Sequence, residues 1–222
     1  MIQNNDTAEE TWKQVQAAWS QIEGAQAEEA IQAEVQRVEV QPEPEPQPGT
    51  APAGKATMRI TSLDIIRGMP KNAEQIAQLI QQQTGEELSR TDVLMAFGQK
   101  SYMMAIADDQ PVGLVGFLVE NLVTRVDEFL VIDQAPIQSV STALIQAIER
   151  ASRELQSEVG YVFVLDGAPA GIVRALEDQG YEDTALEDIK VPAWREAVRE
   201  ARPDGAKVFA KKLRAERVLK PL

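Results

Sequence analysis

Residues 128–155, EFLVIDQAPIQSVSTALIQAIERASREL, constrain the fold more tightly than any other stretch. The apolar run at 126–132 reads as a strand. Residues 140–155 then place Ala143, Leu144, Ala147, Ile148 and Ala151 on one helix face. A short polar loop joins the two. A strand followed by a long one-sided helix buries that face against the sheet the strand belongs to, so the unit predicts a layered α/β arrangement.

The rest of the chain from residue 58 supports that arrangement. MRITSLDII reads as a strand, and residues 72–83 as a helix with Ile76, Leu79 and Ile80 on one face. Ser89 is placed to cap a second helix carrying Val93, Leu94 and Phe97. SYMMAIA reads as a strand, residues 108–111 as a turn, and residues 112–126 as one further strand. VGYVFVL is a strand, residues 170–179 a short helix closed by Gly180, and AKVFAKKL a final strand. Residues 192–201 add a helix before it. The predicted order β-α-α-β-β-β-α-β-α-α-β is that of an α/β or α+β fold with a mixed central sheet flanked by helices.

Ahead of this domain, residues 1–40 form an acidic stretch rich in Ala, Gln and Glu. Trp12, Val15, Trp19 and Ile22 lie there at the spacing of a helix seam. The phase breaks near Gly24, which predicts one or two short helices rather than a long coiled coil. Two tryptophans in a polar arm predict docking on the domain, on a second copy (a homodimer) or on a protein partner. Residues 41–57, QPEPEPQPGTAPAGKAT, read as an extended linker with little to bury. Residues 1–57 hold ten acids against three bases, leaving 25 against 19 in the remainder, so the domain is only mildly acidic.

Composition excludes several chemistries. The chain has no cysteine and no histidine, which removes thiolate nucleophiles, Ser–His–Asp hydrolysis and ordinary zinc catalysis; no metal is expected. A net charge of −13 argues against nucleic acid as a partner. No apolar run is long enough to span a membrane, the arm lacks the basic face of a membrane-surface helix, and no secretory signal opens the chain. A cytoplasmic location is the resulting expectation.

The element order from residue 58 to 213, together with the segment GAPAGIVRALEDQGYE ending in Gly180–Tyr181, resembles the GNAT superfamily of acyl-CoA-dependent N-acetyltransferases. That resemblance implies acetyl-CoA as co-substrate and a small-molecule or peptide amine as acceptor. It implies a pyrophosphate loop of the form Gln/Arg-x-x-Gly-x-Gly/Ala between the fourth strand and the long helix. Here the first position falls on Pro136 and the glycines on Ser139 and Ser141; a shifted register starts at Gln138 and ends at Ala143. The backbone of Gln138, Ser139, Val140, Ser141 and Thr142 would then face the pyrophosphate, with Val131 and Ile132 on the strand beside the cofactor. The family's tyrosine acid maps to Leu176 and its helix-start asparagine to Pro169. A carboxylate base on the fourth strand maps to Glu128, with Asp127 as the neighbouring choice. Regular strand alternation would allow only one of them to face the cleft.

Each of these residues also has a plainer reading. Ser139, Ser141 and Thr142 could simply cap the helix, and Glu128 and Asp127 could be solvated strand-edge acids. Gly113 and Gly116 could open the sheet through a bulge or merely accommodate packing. Tyr161, Phe163 and Tyr181 read as core aromatics. The basic group Lys207, Lys211, Lys212, Arg214, Arg217 and Lys220 reads as a solvated strand edge and tail, within reach of the acidic arm or a CoA phosphate. The activity the resemblance implies is acetyl transfer from acetyl-CoA to an amine. The alternative is a GNAT-like domain without catalysis that binds partners.

Overall fold

The computed structural model describes residues 58–214. The expected helical arm with Trp12 and Trp19, the linker, and the basic residues Arg217 and Lys220 lie outside the described residues. Strand β1 (Leu63–Arg67) leads through a short turn of 3-10 helix to α1 (Ala73–Thr84) and α2 (Arg90–Ala96). The chain then forms a meander of β2 (Ser101–Ala107), β3 (Gln110–Glu120) and β4 (Val123–Val131). The long helix α3 (Ile137–Glu154) returns the chain to β5 (Val159–Val164), and α4 (Ala170–Asp178) and the two-residue β6 (Glu182–Asp183) follow. Helix α5 (Pro192–Ala201) precedes the last described strand, β7 (Lys207–Lys212).

The seven strands form one sheet in the order β1-β2-β3-β4-β5-β7-β6. Among the described strands only the β4–β5 pair is parallel, because α3 is a crossover connection, whereas β3–β4 on one side is an antiparallel hairpin and β5–β7 on the other an antiparallel pair. One sheet face packs α3 and α4 against Val115, Phe117 and Val131, with Val140, Leu144, Ile148, Ile172 and Leu176 buried. Each such side chain contributes roughly 1.5–3 kcal/mol on burial. The other face carries two separate apolar groups. One lies under α1 and α2 around Tyr102, Met104 and Leu114; the other lies under α5 around Val123, Tyr161 and Val208.

Several boundaries differ from the sequence expectation. The single strand expected at 112–126 is broken at Asn121 and Leu122, whose φ values of 52° and 66° make the tight turn a two-residue hairpin needs. Helix α3 begins at Ile137 rather than at 140, with Pro136 as its N-cap residue. Proline is well suited to a helix start, since the missing N–H would have had no helical acceptor there. The cap expected at Ser89 is present as a reciprocal box with Asp92, whose carboxylate accepts from the Ser89 backbone N–H and hydroxyl. Lys211 is not a solvated strand-edge residue: its ammonium lies 2.6 Å from the buried Glu149 and over the Tyr181 ring.

Candidate functional site

The parallel ladder between β4 and β5 is short. It runs from Val123 opposite Val159 to Val126 opposite Val162 and stops, although β4 continues to Val131. Beyond Val126 the two strands diverge, leaving one edge of β4 open. Ile132 donates its N–H to the Val112 carbonyl of β3 at 3.0 Å. Strand alternation therefore turns the backbone groups of Phe129 and Val131 towards the edge that β5 has left.

At the fork, β4 carries a bulge. Its register with β3 passes from Val126 opposite Phe117 directly to Glu128 opposite Gly116, so Asp127 has no partner of its own. The extra residue resets the alternation. Before it, Arg125 faces α5 and donates to the Ala197 carbonyl; after it, Leu130 packs with the α1 group. The expectation that Asp127 and Glu128 point to opposite faces is thus corrected, because the bulge brings both to the ammonium of Lys100. The Lys100 Nζ lies 3.1 Å from Asp127 Oδ2 and 3.1 Å from Glu128 Oε1. Glu128 stands on the sheet face that α1 covers at one end and α5 at the other.

Gly116 makes room for this arrangement. A β-carbon there would fall 2.6 Å from Glu128 Oε2 and 3.3 Å from the Tyr102 ring. Gly113 serves packing instead, since a β-carbon there would press on Leu144 and Val140 of α3 at 3.1 Å. The Oε2 atom of Glu128 is buried and has no hydrogen-bond partner among the described residues. Burial raises the Glu128 carboxyl above its ordinary value, a shift the neighbouring Lys100 reduces but does not cancel. Burial alone would depress Lys100, but Glu128 and Asp127 more than reverse this and hold the ammonium above its ordinary value. The Tyr102 hydroxyl is raised by burial and then by the two carboxylates.

The helix starts lie on the opposite side of the fork. The Val140 N–H bonds to the Pro136 carbonyl, so the N–H groups of Ile137, Gln138 and Ser139 occupy the first turn of α3, ahead of any helical acceptor. The first turn of α4 abuts this turn: a β-carbon on Gly171 would meet the Gln138 nitrogen at 3.1 Å. Two helix N-termini therefore converge, an arrangement that favours an anion. Among the residues expected in a loop, Ser139 is exposed and Gln138 reaches across to Asp178 at 2.8 Å. Val140, Ser141 and Thr142 lie within the helix. The Ser141 hydroxyl is fully buried without a partner among the described residues, and it faces the core.

Two family positions are occupied by residues of another kind. Leu176 is fully buried in the core beneath α4, and Pro169 begins that helix without a side-chain cap. Sequence reasoning missed Lys100. Nothing local marks it, because its partners lie 27 and 28 residues away and meet it only through the β2–β3–β4 register.

Comparison with solved structures places the domain among acetyltransferase folds. YncA of Salmonella typhimurium, solved with acetyl-CoA, superposes with a TM-score of 0.53 at 9% identity, covering 69% of this chain and 95% of that one. The Ard1 protein of Thermoplasma volcanium gives 0.51 at 18% identity over 68% and 97% of the two chains. The PaiA N-acetyltransferase of Thermoplasma acidophilum, in complex with coenzyme A, gives 0.51 at 8% identity over 68% and 99%. No family model and no curated protein sequence matches the chain. No helix among the described residues is long and apolar enough to cross a membrane. With its forked mixed sheet, bulged fourth strand and crossover helix, the described domain has the fold of the GNAT N-acetyltransferases.

Proposed function

We propose that this protein is an acyl-CoA-dependent N-acyltransferase that moves an acetyl group from acetyl-CoA to an amine. The observation that carries this reading is the fork after Val126, with the bulged carboxylates on one side and two converging helix N-termini on the other. The N–H groups of Ile137, Gln138 and Ser139 fit a pyrophosphate, because they point out of a helix start where the dipole favours negative charge. The backbone of Phe129 and Val131, on the open edge of β4, fits the amide-bearing arm of the co-substrate, with Ile132 closing the strand beside it. The thioester supplies an activated acetyl group and needs no covalent intermediate on the protein.

Glu128 is the base in this reading. An acceptor ammonium arriving between α1 and α5 meets the unpartnered Oε2 and loses its proton there, and the freed amine attacks the thioester carbonyl. The raised carboxyl suits the role, since a base works best when its pKa approaches the working pH. No side chain at Leu176 can protonate the departing thiolate, so that proton comes from solvent.

Titration calorimetry with acetyl-CoA tests the reading, and Ser139→Asp sharpens it. The added carboxylate sits at a helix start, where it stabilises the fold by roughly 0.3–1 kcal/mol, yet it opposes a pyrophosphate. Weaker acetyl-CoA binding with an unchanged or raised melting temperature is expected. Absence of binding by the unmodified protein at millimolar acetyl-CoA overturns the proposal.

The buried Leu176 and the Gln138–Asp178 contact favour a second reading, a non-catalytic domain that binds partners. It predicts no acetyl-CoA binding, together with a change in oligomeric state or captured partner when residues 1–57 are removed.

A further inference from the structure

We propose that Lys100 occupies the position of the acceptor amine and is acetylated on Nζ by acetyl-CoA bound to the same chain; the inference rests on the acetyltransferase reading of the fork. Its ammonium is 3.1 Å from Glu128 Oε1, within hydrogen-bond reach of the carboxylate assigned as base. The second contact, to Asp127, places it beside the first residue after the β4–β5 ladder ends, at the mouth of the fork. The other described lysines are elsewhere. Lys71, Lys190, Lys207 and Lys212 are exposed, and Lys211 is held by Glu149. Lys100 alone among them is a primary amine tucked against the β4 carboxylates, with its side chain only 19% exposed. The missing β-carbon at Gly116 lets Glu128 Oε2 lie where it does, since a β-carbon there would fall 2.6 Å from that oxygen.

The step balances without any further reagent. The Lys100 ammonium gives one proton to Glu128, which passes it to solvent. The nitrogen lone pair attacks the thioester carbonyl carbon and the C–S bond breaks. The nitrogen releases its second proton to solvent and the leaving sulfur takes one up from solvent, giving coenzyme A and a neutral Nζ-acetyl-lysine. Because the two carboxylates hold the ammonium above its ordinary value, the event is slow near neutrality and quickens as pH rises. It happens once per chain and removes the cation that restrains Glu128, so the modification changes the site that made it.

The test is incubation of the full chain with acetyl-CoA and no acceptor, followed by peptide mapping over time, with acetyl-CoA binding measured on the same sample. Lys100 is expected to gain one acetyl group faster than the exposed Lys207 and Lys212, which report the background reaction. Glu128→Gln is expected to slow labelling of Lys100 on the order of 100-fold while leaving Lys207 and Lys212 unchanged. Lys100→Arg keeps the cation and should abolish this label alone, covering the case in which the Gln variant fails to fold. Binding of acetyl-CoA with Lys100 labelled no faster than Lys207 overturns the inference and leaves the acetyltransferase reading intact. Absence of binding removes both.

Discussion

Two carboxylates lie under lysines in this domain, and the difference between them separates architecture from chemistry. Glu149 on α3 is buried, and both its oxygens are taken: Oε1 by Lys211 and Oε2 by Arg153, each at 2.6 Å. The pair ties the crossover helix to the last strand, and the Tyr181 ring lies beneath the Lys211 ammonium. Glu128 on β4 shares Lys100 with Asp127 at the longer distance of 3.1 Å and keeps Oε2 buried and, among the described residues, unpaired. A fully satisfied buried group specifies a structure, whereas a buried oxygen without a partner costs stability and invites a ligand or a proton.

The comparison is tested first by crossing the two substitutions. Glu128→Gln is expected to lower kcat by about 10²–10⁴-fold, the range a positioned base supplies, with little change in melting temperature. Glu149→Ala is expected to do the opposite. It strips the shared anion from Lys211 and Arg153 and costs about 3 kcal/mol, at the low end for a broken buried pair because Arg153 is half exposed. Denaturant unfolding and acetyl-CoA titration on both variants decide the matter. Loss of acetyl-CoA affinity in Glu149→Ala alone would dissolve the distinction.

Gly116→Ala is the next largest effect. The new methyl would lie 2.6 Å from Glu128 Oε2, so the carboxylate or the bulge must move. Overpacking of this kind costs about 1–3 kcal/mol, and the acceptor reaction should fall with it while acetyl-CoA affinity holds. Unchanged turnover would mean that Glu128 does not need its present position.

The smallest effects are read against pH. Glu128 must be ionised to act, so kcat/KM should rise with pH through a value above 4.5. Lys100→Met removes the charge that restrains the burial shift, and the acid limb should move to higher pH. Stability moves the opposite way. A carboxyl raised in the folded state contributes stability below about 4.5 and loses it as pH climbs through the folded value. The melting temperature of the unmodified protein relative to Glu128→Gln should therefore fall as pH rises across that window; a flat difference would contradict the burial of this group.

Much of the frame was legible without coordinates, for reasons particular residues supply. Helix α5 is read at its full extent because Pro192 starts it and Pro203 follows its end closely. The Ser89 cap was legible because its partner Asp92 is three residues away, and the end of α4 because Gly180 adopts φ of 80°. The start of α3 was misplaced although Pro136 carried a signal for it, since proline at a helix start competes with the reading of proline as loop. The Asn121–Leu122 hairpin was missed because leucine is an unusual occupant of a left-handed turn position.

Local sequence determined the order of strands and helices apart from the two-residue β6, the apolar face of α3 and the exclusion of histidine and cysteine chemistry. These follow from spacing along the chain and from composition, which need no partner strand. Tertiary structure decided the site. Whether Asp127 and Glu128 face one way or two depends on a register with Gly116 across β3, and Lys100 reaches them only because three strands align. A bulge is a relation between strands and a buried charge pair a relation between distant residues, so neither leaves a periodic mark in either segment alone.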